Sequence, residues 1–358
     1  MPIQQQYKVV VAGLGKRGKH HSAAFTKNPR FKLIGLCDVD KERLETAKKE
    51  FNVSNVDTDA KKIVKELKPD IFCFCTLPTL RLDMIRIGVE AGVKLIAYEK
   101  PMAMTMNEAI EIMRLLRDAK IKSIVSHQHR YGEHYQKVKE IISSGAIGRV
   151  HTVYGKATGW MLHMISHLID YSRWYNDNAD AEWVIAQASG TGKFKDNHPS
   201  PDYIAGFIHF TNGVRGIIEC GAGAPDVPEV DYWWGKCQIG AQGTQGFAEV
   251  LTRGGWRAVT KDKGVISGPG SMNYEHDTPL YVQDIVAWLD DESRMHPCNG
   301  EDAYQGFEIM MAFCRSVVER GQIKLPLGPG YNELEALKAV LKNTPIFPTT
   351  PETAKQYT

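Results

Sequence analysis

Three strings in this chain combine residue types and spacings that chemistry can use. Gly13-Leu14-Gly15-Lys16-Arg17-Gly18 sets its glycines in a G-x-G-x-x-G register. When such a string leaves a strand and opens a helix, one glycine permits the tight turn, one admits a pyrophosphate against the backbone, and one lets helix pack on strand. The helix N-terminus then faces the phosphate charge, with Lys16 and Arg17 beside it. Glu99-Lys100-Pro101 offers an ammonium able to hydrogen-bond an oxygen on which negative charge develops. His163, His167 and Asp170 share one face of a helix, so two imidazoles and a carboxylate are expected to converge on a single point. Imidazole titrates near neutrality and can take a proton in one direction and return it in the other. A dinucleotide, an oxyanion partner and a base are what hydride transfer at a secondary alcohol carbon requires.

These groups need a scaffold to hold them. From Tyr7 to about His127, short apolar runs alternate with helical patterns, the candidate strands being Tyr7–Ala12, Phe31–Cys37, Ile71–Cys75, Lys94–Tyr98 and Ser123–Ser126. Runs such as Val9-Val10-Val11 and Phe72 to Phe74 fit strands buried on both faces, so this part reads as a doubly wound parallel sheet. The glycine string follows its first strand, and Glu99-Lys100-Pro101 follows Lys94–Tyr98 at the carboxyl edge, where ligands bind in open α/β sheets. Asp38 ends the second strand, placed to accept hydrogen bonds from an adenosine ribose, which favours NAD over NADP. Its alternative role, capping the next helix, suits Asp40 better.

Beyond about residue 150, strands are expected at Arg149–Lys156, Glu182–Ala188, Tyr203–Phe210, Val214–Cys220, Lys236–Ala241 and Phe247–Thr252, with Asn212-Gly213 as a hairpin turn. Helices over 161–175, 279–291 and 301–320 are expected to pack on that sheet. Segments 190–201, 222–235 and 261–279 read as loops. The expected architecture is α/β plus α+β: a Rossmann domain over 1–127, a mostly antiparallel open-sheet α+β domain over 128–347, and a polar tail over 348–358.

Composition narrows the function classes. Of 358 residues, 43% are hydrophobic and the formal net charge is +2, with the basic residues dispersed, so neither nucleic acid nor a membrane surface is an expected partner. With no signal-peptide pattern and no apolar stretch long enough to span a bilayer, a cytoplasmic location is expected. The seven cysteines read as reduced core residues, and Cys73 and Cys75 are expected on opposite faces of their strand rather than as a redox or zinc pair.

Together these motifs resemble the Gfo/Idh/MocA family of oxidoreductases. His21 extends the glycine string to G-x-G-x-x-G-x-x-H, Glu99-Lys100-Pro101 matches the family's EKP, and His167 falls on the histidine of its Asp-x-x-x-His helix. Thr76 and Pro78 resemble the family's Thr-Pro turn, and His127 to Tyr131 its crossing into the second domain. The chain departs from the pattern at His163, where the family usually has aspartate. The resemblance implies NAD as cofactor, with Gly13, Gly15, Lys16, Arg17, Gly18, Asp38, Thr76, Pro78, Glu99 and Lys100 holding it. It implies His167 as the base and Lys100 as the oxyanion partner; His163, where the chain departs from the family, is expected to orient the substrate or share the proton.

Substrate contacts are expected from Gln128, Arg130, Tyr131, Trp160 and Trp233 as well as Lys100, His163 and His167. The paired histidines also fit a metal, with Asp170 as third ligand, but Met164 stands where zinc proteases carry glutamate, and the resemblance implies metal-free chemistry. The altered Asp position and the short loop from Lys156 to Gly159 resemble gut-bacterial enzymes that oxidise the C3 hydroxyl of C- and O-glucosides. The expected function is therefore a glucoside 3-dehydrogenase. Open alternatives are an inositol dehydrogenase, tightly bound NAD serving as a shuttle in sugar-sugar exchange or glycoside cleavage, and a sugar sensor without catalysis. The family's second sheet commonly packs face to face between subunits, so a homo-oligomer, dimer, tetramer or higher, is expected.

Overall fold

A computed structural model describes residues 6–343, so the tail expected over 348–358 lies outside the described residues. The chain forms two compact units. One gathers the chain up to Met104 with Glu108–Tyr131 and Asn273–Ala303; the other takes Thr105–Asn107, Gly132–Met272 and the chain from Tyr304 on.

The first unit is built on six parallel strands, β1 (Tyr7–Ala12), β2 (Phe31–Cys37), β3 (Val56–Asp57), β4 (Ile71–Phe74), β5 (Leu95–Tyr98) and β6 (Lys122–Val125), in the order β3-β2-β1-β4-β5-β6. Every residue of β4 and β5 is buried, as their unbroken apolar sequences require. Helices α1 (Lys16–Lys27), α2 (Lys41–Phe51), α3 (Ala60–Leu67), α4 (Arg81–Ala91) and α5 (Met106–Asp118) alternate with the strands. The Asp40 carboxylate caps α2, accepting from the Glu42 and Arg43 amides at 3.0 Å each. Strand β3 escaped the sequence reading because two residues carry no period.

The second unit is built on nine strands in the order β14-β13-β12-β11-β7-β10-β9-β8-β15. They are β7 (Val150–Ala157), β8 (Ala181–Ser189), β9 (Tyr203–Phe210), β10 (Arg215–Gly221), β11 (Cys237–Gly243), β12 (Gly246–Leu251), β13 (Gly255–Thr260), β14 (Gly264–Gly268) and β15 (Ile323–Lys324). All pairings are antiparallel except β7 with β10. Along β9 burial alternates strictly, with Ile204, Ile208 and Phe210 on the covered side. Helices α6 (Glu133–Ser143) and α7 (Met161–Tyr175) lie in this unit, α7 against β7, β10 and β11. Among the described residues no helix is long and apolar enough to cross a membrane.

Two expectations are corrected. Helix α8 (Tyr274–Asp290), expected on the second sheet, belongs to the first unit, where Tyr281, Val282, Ile285 and Val286 join the core formed by Val9, Val11 and Phe25. Its apolar face is complementary to α1, a pairing that no local pattern reveals. Segment 261–279 is not all loop: it holds β14 and the first turn of α8, whose Asn273 cap accepts from the Glu275 and His276 amides. Helices α9 (Gly300–Glu319) and α10 (Glu333–Val340) complete the chain's regular structure.

Candidate active site

The glycine string forms the turn from β1 into α1. Gly13 has φ +82°, and a Cβ there would stand 2.6 Å from the Cys75 carbonyl oxygen. A Cβ on Gly18 would stand 1.9 Å from the Gly13 carbonyl oxygen, so helix and strand meet only because it is glycine. Gly15 instead faces open space and is the N-cap of α1, with no side-chain cap and no acidic residue in the first turn. Open amides, the helix dipole and exposed Lys16 therefore fit a dinucleotide's pyrophosphate.

Asp38 is buried at the end of β2. Its carboxylate accepts the Leu14 amide at 2.5 Å and the Asp40 amide at 2.9 Å, with the Arg43 guanidinium 3.4 Å away. The residue thus ends β2 beside the glycine turn and holds that turn in shape.

Around Glu99 the first unit collects charge. The carboxylate is buried, 3.4 Å from Arg17 Nε and 3.4 Å from His21 Nε2. Burial alone would raise its pKa; Arg17, His21 and Lys100 together hold it well below the usual carboxylate range. His21, Cys75 and Glu99 bring three potential metal-ligand atoms within 4.8 Å of one another. The Arg17 guanidinium already stands where a cation would neutralise them. The expectation for the cysteines is corrected here, since residues two apart return to the same face and both the Cys73 and Cys75 thiols lie on the side of Glu99.

Arg17 also lies 3.8 Å from the centroid of the Tyr274 ring, which His20 and His129 flank. Tyr274 comes from the start of α8, more than 250 residues along the chain, which is why sequence reasoning missed it. Buried Arg81 was missed as well. Its guanidinium donates to the carbonyls of Thr76 at 2.9 Å and Pro101 at 3.0 Å, and reaches those of Leu77 and Lys100 at 3.4 Å, tying the turn after β4 to the Lys100 turn. Thr76 and Pro78 are thereby fixed beside the Gly13 turn, and half-buried Lys100 follows β5 directly.

Gln128, Arg130 and Tyr131 form one short 3-10 turn after β6. Gln128 and Arg130 are buried. With its amide nitrogen donating to the Ser126 carbonyl, Gln128 turns its oxygen to Arg17. The Tyr131 hydroxyl donates to Asp284 at 2.7 Å and its ring packs edge-on to Tyr281, so the side chain is engaged with α8.

In the second unit, α7 carries the histidines. His163 meets Trp160 at 5.2 Å between ring centroids, Trp233 at 5.9 Å and His198 at 5.3 Å, while Trp160 and Trp233 stack at 5.1 Å. Lys193 Nζ lies 4.6 Å from the Trp160 centroid. The 190–201 segment is pinned beside α7 by Ser200, whose hydroxyl accepts the Leu162 amide at 3.0 Å. One turn along α7, His167 Nδ1 lies 3.3 Å from the Tyr171 hydroxyl. Asp170 is buried while both histidines are partly exposed. Among the described residues the group of three potential metal-ligand atoms within 4.8 Å of one another is the one at Glu99.

A glycine turn between strand and helix, a buried aspartate at the end of the second strand and a lysine at the strand edge, all on a parallel sheet, make a unit of the dinucleotide-binding type. Residues 7–127 match the Gfo/Idh/MocA family model described as oxidoreductase family, NAD-binding Rossmann fold. It is 24% identical to scyllo-inositol 2-dehydrogenase (NAD(+)) of Bacillus subtilis strain 168, over 62% of this chain and 69% of that one. It is 21% identical to D-glucoside 3-dehydrogenase of Escherichia coli K12, over 58% and 67%. With several other curated relatives the match spans only about two fifths of their length. A structure of levoglucosan dehydrogenase in complex with NADH and levoglucosan shares the fold, with TM-score 0.75 and 19% identity over 90% of this chain and 100% of that one.

Proposed function

We propose that this protein is an NAD-dependent dehydrogenase of a secondary hydroxyl on a sugar or glycoside, with C3 of a glucoside the preferred position. The observation that carries the reading is the wall made by Trp160, Trp233 and His163 one turn from His167. Flat rings suit the C–H face of a pyranose. The Trp160 Nε1 donor is buried with no hydrogen-bond partner among the described residues, and a substrate hydroxyl would satisfy it. NAD, when bound, supplies the hydride acceptor. Lys100 hydrogen-bonds the reacting oxygen and favours its developing negative charge, His167 removes its proton, and His163 holds an adjacent hydroxyl.

The test is NAD reduction followed at 340 nm with glucosides, free sugars and inositols. Glucosides are expected to turn over, and His167→Ala and Lys100→Met to lower kcat about 100- to 10,000-fold with cofactor affinity retained for His167→Ala. Turnover of inositols but not glucosides would reassign the substrate class. Bound NAD with no net reduction on any alcohol would favour the shuttle or sensor readings.

A further inference from the structure

His167 occupies the middle of α7, and its ring stacks on Tyr171 with centroids 5.8 Å apart and planes 25° apart. Tyr171 is 1% exposed, and its ring meets Tyr135 edge-on at 5.0 Å. Tyr135 is anchored in turn, its hydroxyl 2.7 Å from that of Thr252 on the loop after β12. Tyr171 is therefore held from behind by packing, while its hydroxyl is presented to the inner nitrogen of a partly exposed imidazole. Residues 163, 167 and 171 lie one turn apart on one helix face, yet the rings divide: His163 goes to the tryptophans and His167 to the tyrosine.

An imidazole that acts as a base needs one ring nitrogen bare, so the other must carry the proton. Which nitrogen is bare depends on what the other one meets. We propose that Tyr171 is the positioning residue of His167: its hydroxyl oxygen accepts the Nδ1 proton, fixes the ring plane and makes Nε2 the nitrogen that takes the substrate proton. The inference rests on His167 being the base of the proposed reaction. A carboxylate in this role would fix the tautomer and also stabilise the imidazolium; a neutral hydroxyl fixes the tautomer while leaving the ring free to give its proton back. That division fits a chain in which the position one turn before the base, residue 163, is itself an imidazole.

The experiment is 15N NMR of histidine-labelled protein, with the His167 signals assigned from His167→Asn, alongside steady-state kinetics. The wild type is expected to show His167 protonated at Nδ1 and bare at Nε2. Tyr171→Phe keeps the buried ring and removes the oxygen. It is expected to shift His167 toward the Nε2–H form and lower kcat about 10- to 100-fold with KM nearly unchanged. Tyr175→Phe, which deletes a buried hydroxyl from the next turn of α7, should leave both readouts as in wild type. A wild-type His167 carrying its proton on Nε2, or one whose tautomer is the same in Tyr171→Phe, would overturn the proposal. The wild-type spectrum decides the matter even if Tyr171→Phe fails to fold. It also separates this inference from the dehydrogenase reading, whose failure would appear as absent hydride transfer.

Discussion

The two sheets solve burial differently. Strands β4 and β5 are covered on both faces, and every one of their residues is apolar and buried. Strand β9 is covered on one face only: Ile204, Ile208 and Phe210 are buried, while Tyr203, Phe207 and His209 remain partly exposed. The sheet covered on both faces can place chemistry only at its carboxyl edge, where the Gly13 and Lys100 turns emerge. The sheet covered on one face carries its histidines on a helix packed against it and leaves its other face open. The first unit thus builds its candidate site from tight backbone approach, and the second from side chains arrayed along α7.

The largest effect should come from breaking that backbone approach. Gly18→Ala forces a Cβ to within 1.9 Å of the Gly13 carbonyl oxygen, a contact that only movement of α1 away from β1 can relieve. We expect NAD affinity, measured by calorimetry, to fall by about two orders of magnitude or more, roughly 3 kcal/mol. The tautomer of His167 in the second unit should be unchanged. NAD binding at near-wild-type affinity would show that the cradle tolerates a separation the geometry forbids.

The same contrast explains what was legible beforehand. Continuous runs such as Val9-Val10-Val11 and the Asn212-Gly213 hairpin are local signals, and each stands close to where the residues predict. Lys100, His163 and His167 lie on the elements expected of them, because a strand edge and a helix face are readable from spacing. Much of what escaped is non-local or too short for a period. Arg81 ties two turns through carbonyl oxygens, Tyr274 returns from a distant helix to Arg17, and α8 was assigned to the wrong sheet because amphipathicity does not name a partner. Tyr171 could have been found, since it lies four residues beyond His167 on the same face. Cys73 and Cys75 were misplaced by a miscounted pleat, not by missing information.

A smaller effect should come from His296, in the segment that returns to the first unit. Its Nε2–H donates to the Tyr281 carbonyl at 3.0 Å, and its Nδ1 accepts the Cys298 amide at 2.9 Å, so the buried ring is satisfied when neutral. A second ring proton would face an N–H, and burial pushes the pKa down to about 4, against the pull of the Tyr281 carbonyl and Asp284. The unfolded chain, near 6.5, binds the proton first. The stabilising contribution is therefore complete above pH 6.5 and is lost as pH falls toward 4, up to about 3 kcal/mol. Thermal unfolding between pH 7.5 and 4.5 should show a shallower acid decline in His296→Gln than in wild type, from a lower starting point. Parallel declines would assign the acid sensitivity elsewhere in the unit.

The smallest effect on stability is expected on the open face of the second sheet. Ile217 and Ile218 are neighbours on β10, yet Ile217 is 41% exposed and Ile218 fully buried. Beside Ile217 the same face presents Trp183, stacked with Phe207 and His209, and Ile185 at 47% exposure. Apolar surface gathered this way on an open sheet is the kind of surface a partner covers, and whether a second copy of the chain covers it is open to test. Ile217→Lys should change the unfolding free energy of the isolated subunit by no more than about 0.5 kcal/mol, because the residue has little to lose there. Ile218→Lys should prevent the unit from folding, since the ammonium would be buried without a partner. In sedimentation velocity the wild type is expected as a dimer or larger and Ile217→Lys as a monomer. A monomeric wild type would mean that the open face serves something other than self-association. An assembled Ile217→Lys would place the contact on another surface, since a charge at the centre of a face-to-face apolar contact has no route to solvent.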